Sequence, residues 1–440
     1  MFGQINYHGR PRNGPPGPPS GRGHMNTTSP EQSRHAELAR LAAKLKDLFE
    51  REKFTDVVFE ARDGTKIAAH CNIIALWSPV LESMLEDWTD EEDENPVFKL
   101  ADVDGHTLRL LLAFMYGFDV TPNADALKQH GLALLEAAHK FDVADLADKL
   151  DRQLCAVDVE ERSLLRVLKA VDRVGATRTK HALINHITHF MGSIKGQILI
   201  KEMTESSDTH DRQLASEIAG SGRALRNGPT GQLSGRYGNT FAAESPRLAE
   251  LARLAAKLKD LLEGEKFTDV IFEAGDGTKI AAHRNIVTLW SPVVESTLDN
   301  LSVEHDDTPV FKLGDVDAHT MRLLLTFMYG ADVTLGAKAL KQHGLALFEA
   351  AQKYDIADLA ENVDRQLSAM NVEERSLLRV LKAVDRAGAR RTKQALFYRI
   401  THYMDNFKGK RLVKEMIESS DPHDRQLANE LVAIVWPSSY

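Results

Sequence analysis

The chain has 440 residues, 43% of them hydrophobic, with 55 Lys and Arg against 64 Asp and Glu, a formal charge of −9 and a pI near 6.0. At roughly 100–200 residues per domain this suggests two to four domains; the mild acidity lacks the broad positive field that phosphate backbones need, which argues against nucleic acid. Two cysteines, Cys71 and Cys155, make no disulfide framework, no apolar run reaches the ~18 residues of a membrane span, and the opening residues lack the apolar core of a secretory signal, so cytosol or nucleus is expected.

Residues 1–34 are rich in Pro, Gly, Ser and Arg with no apolar period, and are expected to be disordered. Leu38, Leu41, Leu45 and Leu48 then recur at helical spacing and predict an amphipathic helix. In the stretch that follows, Val57 and Phe59 alternate with Asp56 and Val58, as a strand does. Asp63-Gly64 is a turn signal, and Thr65 to His70 supplies the second arm of a hairpin. Pro79 inside the apolar run Asn72–Leu85 predicts two short helices with a break, Ser78 capping the second. An acidic loop from Glu86 and a short strand at Pro96–Leu100 come next. Asp104 is placed to cap a helix carrying Leu108, Leu111, Leu112 and Met115, which Gly117 ends. Further helices are expected at 125–140, 144–154, 159–174, 179–191 and 198–218.

The whole pattern then returns. The segment beginning at Leu38 recurs from Leu251 at an offset of 213 residues, so that His70 maps to His283, Tyr116 to Tyr329 and Asp208 to Asp421 without insertion or deletion. Residues 219–246 between the copies look like a flexible linker, with a typical end-to-end distance of about 30 Å. The expected divisions are a first α+β domain at 35–155, its helical extension at 156–218, the linker at 219–246, a second α+β domain at 247–368 and a second extension at 369–435.

The order of elements, together with FTDV at Phe54–Val57, GTKIAAH at Gly64–His70, WSPV at Trp77–Val80, FKLADVD at Phe98–Asp104, LLLAFMYG at Leu110–Gly117 and AAHKFDVADL at Ala137–Leu146, resembles the BTB/POZ domain. The second copy carries FTDV at Phe267, WSPV at Trp290, FMYG at Phe327 and AAQKYDIADL at Ala350. The helical tails resemble the BACK-type extension of BTB adaptors. The resemblance implies tandem α+β modules, each a small sheet flanked by helices, that join proteins. It also implies pairing through the first helix, here Leu38, Leu41, Leu45 and Leu48 with Leu251, Leu254, Leu258 and Leu261, either within one chain or as a homodimer. Many members also bind a cullin beside the acidic loop and so act as ubiquitin-ligase substrate adaptors. The matching residues are Trp88, Asp90 and Glu91, and Val303 and Glu304; they depart from the family's hydrophobic-x-Glu pattern. No kelch or MATH domain is visible for reading a substrate, which leaves open a scaffold or transcriptional co-regulator without a ligase role.

Other residues have plainer readings. Asp56 and Asp269 are expected to be buried or half-buried carboxylates satisfied by hydrogen bonds, since an unpaired one costs several kcal/mol. His181, His186 and His189 share a predicted helix, but the second copy has Gln394, Arg399 and His402 there, which speaks against a metal site. Cys71 and Cys155 are matched by Arg284 and Ser368, and no base accompanies either thiol as a nucleophile requires. No phosphate-binding loop, nucleophile elbow or zinc motif is found. A non-enzymatic adaptor without cofactor or metal is therefore expected, meeting protein partners and neither nucleic acid nor membrane. An enzyme would need a deep polar pocket with strongly shifted pKa values.

Overall fold

A computed structural model describes residues 30–87, 96–121, 123–157, 163–190, 194–227, 246–300, 308–373, 376–403 and 407–435. The first copy begins with α1 (Pro30–Arg51), whose leucine stripe is buried along its length. Strands β1 (Val57–Ala61) and β2 (Lys66–Ala69) pair antiparallel around the Asp63-Gly64 turn, where Gly64 has φ +81. Strand β3 (Val97–Leu100) joins β1 in parallel, giving the order β2-β1-β3. Side chains of β1 alternate between buried and half-buried because one face of this small sheet lies on the helices.

Between β2 and β3 stand α2 (Cys71–Ala75) and α3 (Pro79–Glu86). The expected break is present: Ser78 caps α3 by accepting from Leu81 N at 3.0 Å, with Pro79 in the first turn. Helix α4 (Gly105–Met115) is capped by Asp104, which accepts from Thr107 N at 3.0 Å. It ends at Gly117, whose φ of +78 suits a residue without a side chain. Helices α5 (Ala124–Lys140) and α6 (Ala144–Leu154) complete the unit. Its centre is Phe59, Leu45, Leu108 and Tyr116. The Tyr116 hydroxyl takes the His70 backbone N–H at 2.9 Å and lies 2.7 Å from His70 Nδ1, while His70 Nε2 meets Lys53 O at 2.7 Å. Burial pushes the His70 imidazole down to about 4, so it is neutral at physiological pH.

The tail comprises α7 (Leu164–Arg173), α8 (Thr177–Phe190), α9 (Ile194–Glu205) and α10 (Thr209–Asn227). The second copy repeats everything as α11 (Pro246–Gly264), β4 (Val270–Ala274), β5 (Lys279–Ala282), α12 (Arg284–Val287), α13 (Pro292–Asn300), β6 (Val310–Leu313), α14 (Ala318–Met328), α15 (Ala337–Lys353), α16 (Ala357–Ala369), α17 (Leu377–Ala387), α18 (Arg390–Tyr403), α19 (Phe407–Ile417) and α20 (Pro422–Val435). Its sheet order is β5-β4-β6 with the same pairings.

Three expectations change at the element ends. Helix α1 starts at Pro30, inside the stretch expected to be disordered, because proline suits a first helical turn. Helix α10 runs to Asn227, so the first part of the expected linker is helical. The single helix expected at 198–218 is two, divided at Ser206–Asp208, where Asp208 accepts from His210 N at 2.9 Å and turns the chain.

Candidate interaction surface

Helices α1 and α11 lie against each other, one from each copy. Leu38, Leu41, Leu45 and Leu48 are each at most 4% exposed, and Leu251, Leu254, Leu258 and Leu261 at most 7%. A methyl group at Gly117 would stand 3.0 Å from Leu254 Cδ2 and 3.8 Å from Leu251 Cδ2; one at Gly330 would collide with Leu41. Each glycine thus ends its own helix and leaves room for a leucine of the other copy.

Around this apolar seam each polar contact comes twice, related by the same offset. Arg34 donates to Gly330 O at 2.6 Å, and Arg247 donates to Gly117 O. Lys44 reaches Leu289 O at 2.5 Å and lies over the Trp290 ring; Lys257 reaches Leu76 O at 2.9 Å and lies over Trp77. Arg40 pairs with Asp358 at 2.6 Å and Arg253 with Asp145 at 2.7 Å. Lys53 pairs with Glu295, and Lys266 with Glu82 at 2.6 Å and Glu86 at 3.0 Å. Such repetition is what a two-fold, self-complementary interface produces. The pattern differs at two places: Lys149 bridges Asp119 and Glu250, each at 3.1 Å, whereas its counterpart Asn362 donates to Glu37, and Arg284, which lies against Phe54, has Cys71 as its counterpart.

At the centre, Asn72 and Asn285 exchange two hydrogen bonds of 2.9 Å, each amide donating to the other's oxygen. Both residues are at least 96% buried. This pair was not recognised from the sequence; its only signal is that an asparagine stands at equivalent positions in an otherwise apolar run.

Asp56 accepts from Cys71 N and Asp269 from Arg284 N, both at 2.7 Å, so both carboxylates are satisfied as expected. Each residue as a whole keeps more than a third of its surface open, while the carboxyl itself is turned into the protein. Surrounding protein still raises both, Asp269 to about 6, with Asp56 adding repulsion to Asp269. The half-buried Cys71 thiol is pushed well above its ordinary range by burial and by Asp56, which makes it a poor nucleophile. Arg284 lies 5.1 Å from the Phe54 ring of the other copy.

His181 and His186 are exposed on α8; the side chain of His189 lies outside the described residues. Trp88, Asp90 and Glu91, with Val303 and Glu304, also lie outside them. Glu86, at the head of the first acidic tract, is engaged by Lys266. A groove of about 670 Å³ opens between α5 and α7, with Leu127, Leu132, Leu154 and Val167 as its floor and Lys128, Arg166 and Arg173 around it. The sequence predicted the helices that carry these residues but not the groove between them. Asp151 was missed too: it is 8% exposed and accepts from Thr179 N at 2.8 Å and Arg178 N at 3.1 Å, tying α6 to α8, as Asp364 does with Thr392 and Arg391. No helix among the described residues is long and apolar enough to cross a membrane.

The BTB/POZ domain model matches residues 45–157 and 258–371, together more than half of the chain. A BTB/POZ domain-containing protein of Arabidopsis thaliana is 32% identical over 122 residues, 27% of this chain and 36% of its own length. The BTB/POZ and MATH domain-containing protein 4 of the same plant is 23% identical over 230 residues, 49% of each chain. The Kelch repeat and BTB domain-containing protein 8 of Xenopus tropicalis is 24% identical over 144 residues, 33% of this chain and 23% of its own. The chain spans half or less of the length of these relatives. With two matched units, each a three-stranded sheet under helices, the chain belongs to the BTB/POZ domain family.

Proposed function

We propose that this chain is a non-enzymatic protein-interaction adaptor whose two BTB/POZ units pair with each other. One polypeptide would then do what two family members do when they dimerise. The observation that carries this reading is the doubled contact set, above all the reciprocal Asn72–Asn285 pair flanked by the α1 and α11 leucines. Burying one leucine contributes about 1.5–3 kcal/mol, so the seam outweighs the exposed ion pairs around it, each worth about 0–1 kcal/mol. Linked units also meet at a high effective concentration, which favours closure within the chain over exchange between chains.

In its finer form, the proposal makes the chain a substrate adaptor of a cullin-type ubiquitin ligase in the cytosol or nucleus. The groove between α5 and α7 gives a protein partner an apolar floor with a basic rim. The loops carrying Trp88, Asp90 and Glu91, and Val303 and Glu304, are the surfaces to test for cullin contact. The departure of those loops from the family pattern favours a second reading, a scaffold or co-regulator without a ligase role. Light scattering after gel filtration tests the pairing: one chain mass with both units tumbling together is expected, and independently tumbling units would refute it. A cullin pull-down separates the two finer readings, since no binding at micromolar concentration leaves the scaffold.

A further inference from the structure

Each copy holds a pair of imidazoles that the pairing does not use. His106 stands in the first turn of α4 and His130 on the neighbouring α5, their ring centroids 4.1 Å apart and their planes at 47°. In the second copy His319 on α14 and His343 on α15 lie 4.2 Å apart, again at 47°. Four other histidines of the first copy, His35, His139, His181 and His186, have no histidine at the equivalent position of the second, whereas both members of this pair do.

Two carboxylates near the first pair offset the positive end of α4. Asp104 precedes α4 and Asp63 reaches its start from the β1–β2 turn, accepting from Thr107 N and Gly105 N respectively at 3.0 Å each. Burial and the nearby His106 hold His130 below its ordinary value, against the pull of Asp104. A neutral imidazole keeps one nitrogen lone pair free, and such nitrogens suit zinc, copper and nickel. Metal–imidazole bonds are about 2.0–2.1 Å, so one ion bound to two nitrogens holds them within about 4 Å of each other, the scale of the ring separation seen here. His106 and His319 are exposed and His130 and His343 half-buried, so water can fill the remaining coordination positions. The group Asp208, His210 and Asp211 is a weaker candidate. There Lys169 Nζ already stands 2.5 Å from Asp211 Oδ1 and would repel a second cation.

We propose that His106 with His130, and His319 with His343, each bind one divalent transition-metal ion and so clamp α4 to α5, and α14 to α15. The proposal stands independently of how the copies pair. Calorimetric titration of the full chain with nickel chloride at pH 7.5 tests it. One ion per copy is expected; H130N should lose one of them and H130N/H343N both, with melting temperatures in the absence of metal unchanged. Nickel should raise the melting temperature of the native chain and leave that of the double variant unmoved. Should the double variant not fold, H106Q/H319Q, at the exposed members of the two pairs, serves instead and should lose both ions. Full stoichiometry in either double variant, or no binding by the native chain at sub-millimolar nickel, overturns the proposal.

Discussion

Asn72 and Asn285 illustrate how much depends on a single buried amide at the seam. Each satisfies the other, so removing one strands a polar group away from water. N72A is expected to cost about 1–3 kcal/mol in chemical denaturation. N72A/N285A should cost less than the sum of the single changes, because no orphan amide remains; strict additivity would show that the two amides do not interact. Asp269 offers a test with pH. Its carboxyl is raised from 3.8 to about 6, so the folded chain holds that proton more tightly than the unfolded chain. The resulting penalty is absent below about pH 3.8, grows as pH rises towards 6 and is complete above it. D269N keeps an oxygen for Arg284 N and removes the charge. Thermal melts should therefore find it more stable than the native chain at pH 7.5 and much less so at pH 4. Comparing the two at each pH cancels His70 and His283, which are both held near 4 and lose stability as pH falls from 6.5. An equal difference at both pH values would assign the effect to something other than this carboxyl.

At the scale of elements, the hairpin, the Ser78 and Asp104 caps and the glycine after α4 were legible because each rests on local chemistry. The parallel pairing of β3 with β1 was not, since it joins segments across some forty residues and leaves no periodic mark. The ends of α1 and α10 were misread for a different reason: Pro30 and the small polar residues near Asn227 look like punctuation, although a proline is tolerated in the first turn of a helix. Gly117 was read as a helix stop, yet its second role, making room for Leu254, belongs to the other copy. G117A should therefore destabilise by at least about 1 kcal/mol through its φ of +78, and a chain with L254A should lose less on the same change than the native chain does. Asp151 was invisible in sequence because its partners are backbone groups of α8, 27 and 28 residues on. D151A should raise amide exchange in α7 and α8 while β1 and β2 stay protected; uniform loss of protection would mean that tail and sheet unfold as one.

For the whole molecule, the duplication of 213 residues sets the geometry: two like surfaces on one chain can close on each other, and every contact in the seam is then made twice. Most contacts found across it join residues present at equivalent positions in both copies; the exceptions are Lys149 with Asn362, Cys71 with Arg284, and the acid exchange of Glu86 for Asp299, so the leucine and asparagine centre of the seam would fit two chains as well as one. What favours closure within the chain is the covalent connection, which keeps the second unit at high local concentration. This separates the strength of the seam from the effect of the link. A protease site placed between residues 228 and 245 should, once cut, leave two halves that still elute together at the mass of the 49.0 kDa chain. L41D/L254D puts a carboxylate into each half of the apolar contact, at several kcal/mol apiece, so the cut halves of that variant should separate while the uncut chain keeps its helix content. Native halves that part at micromolar concentration would mean that the link, and not the leucine seam, holds the two units together.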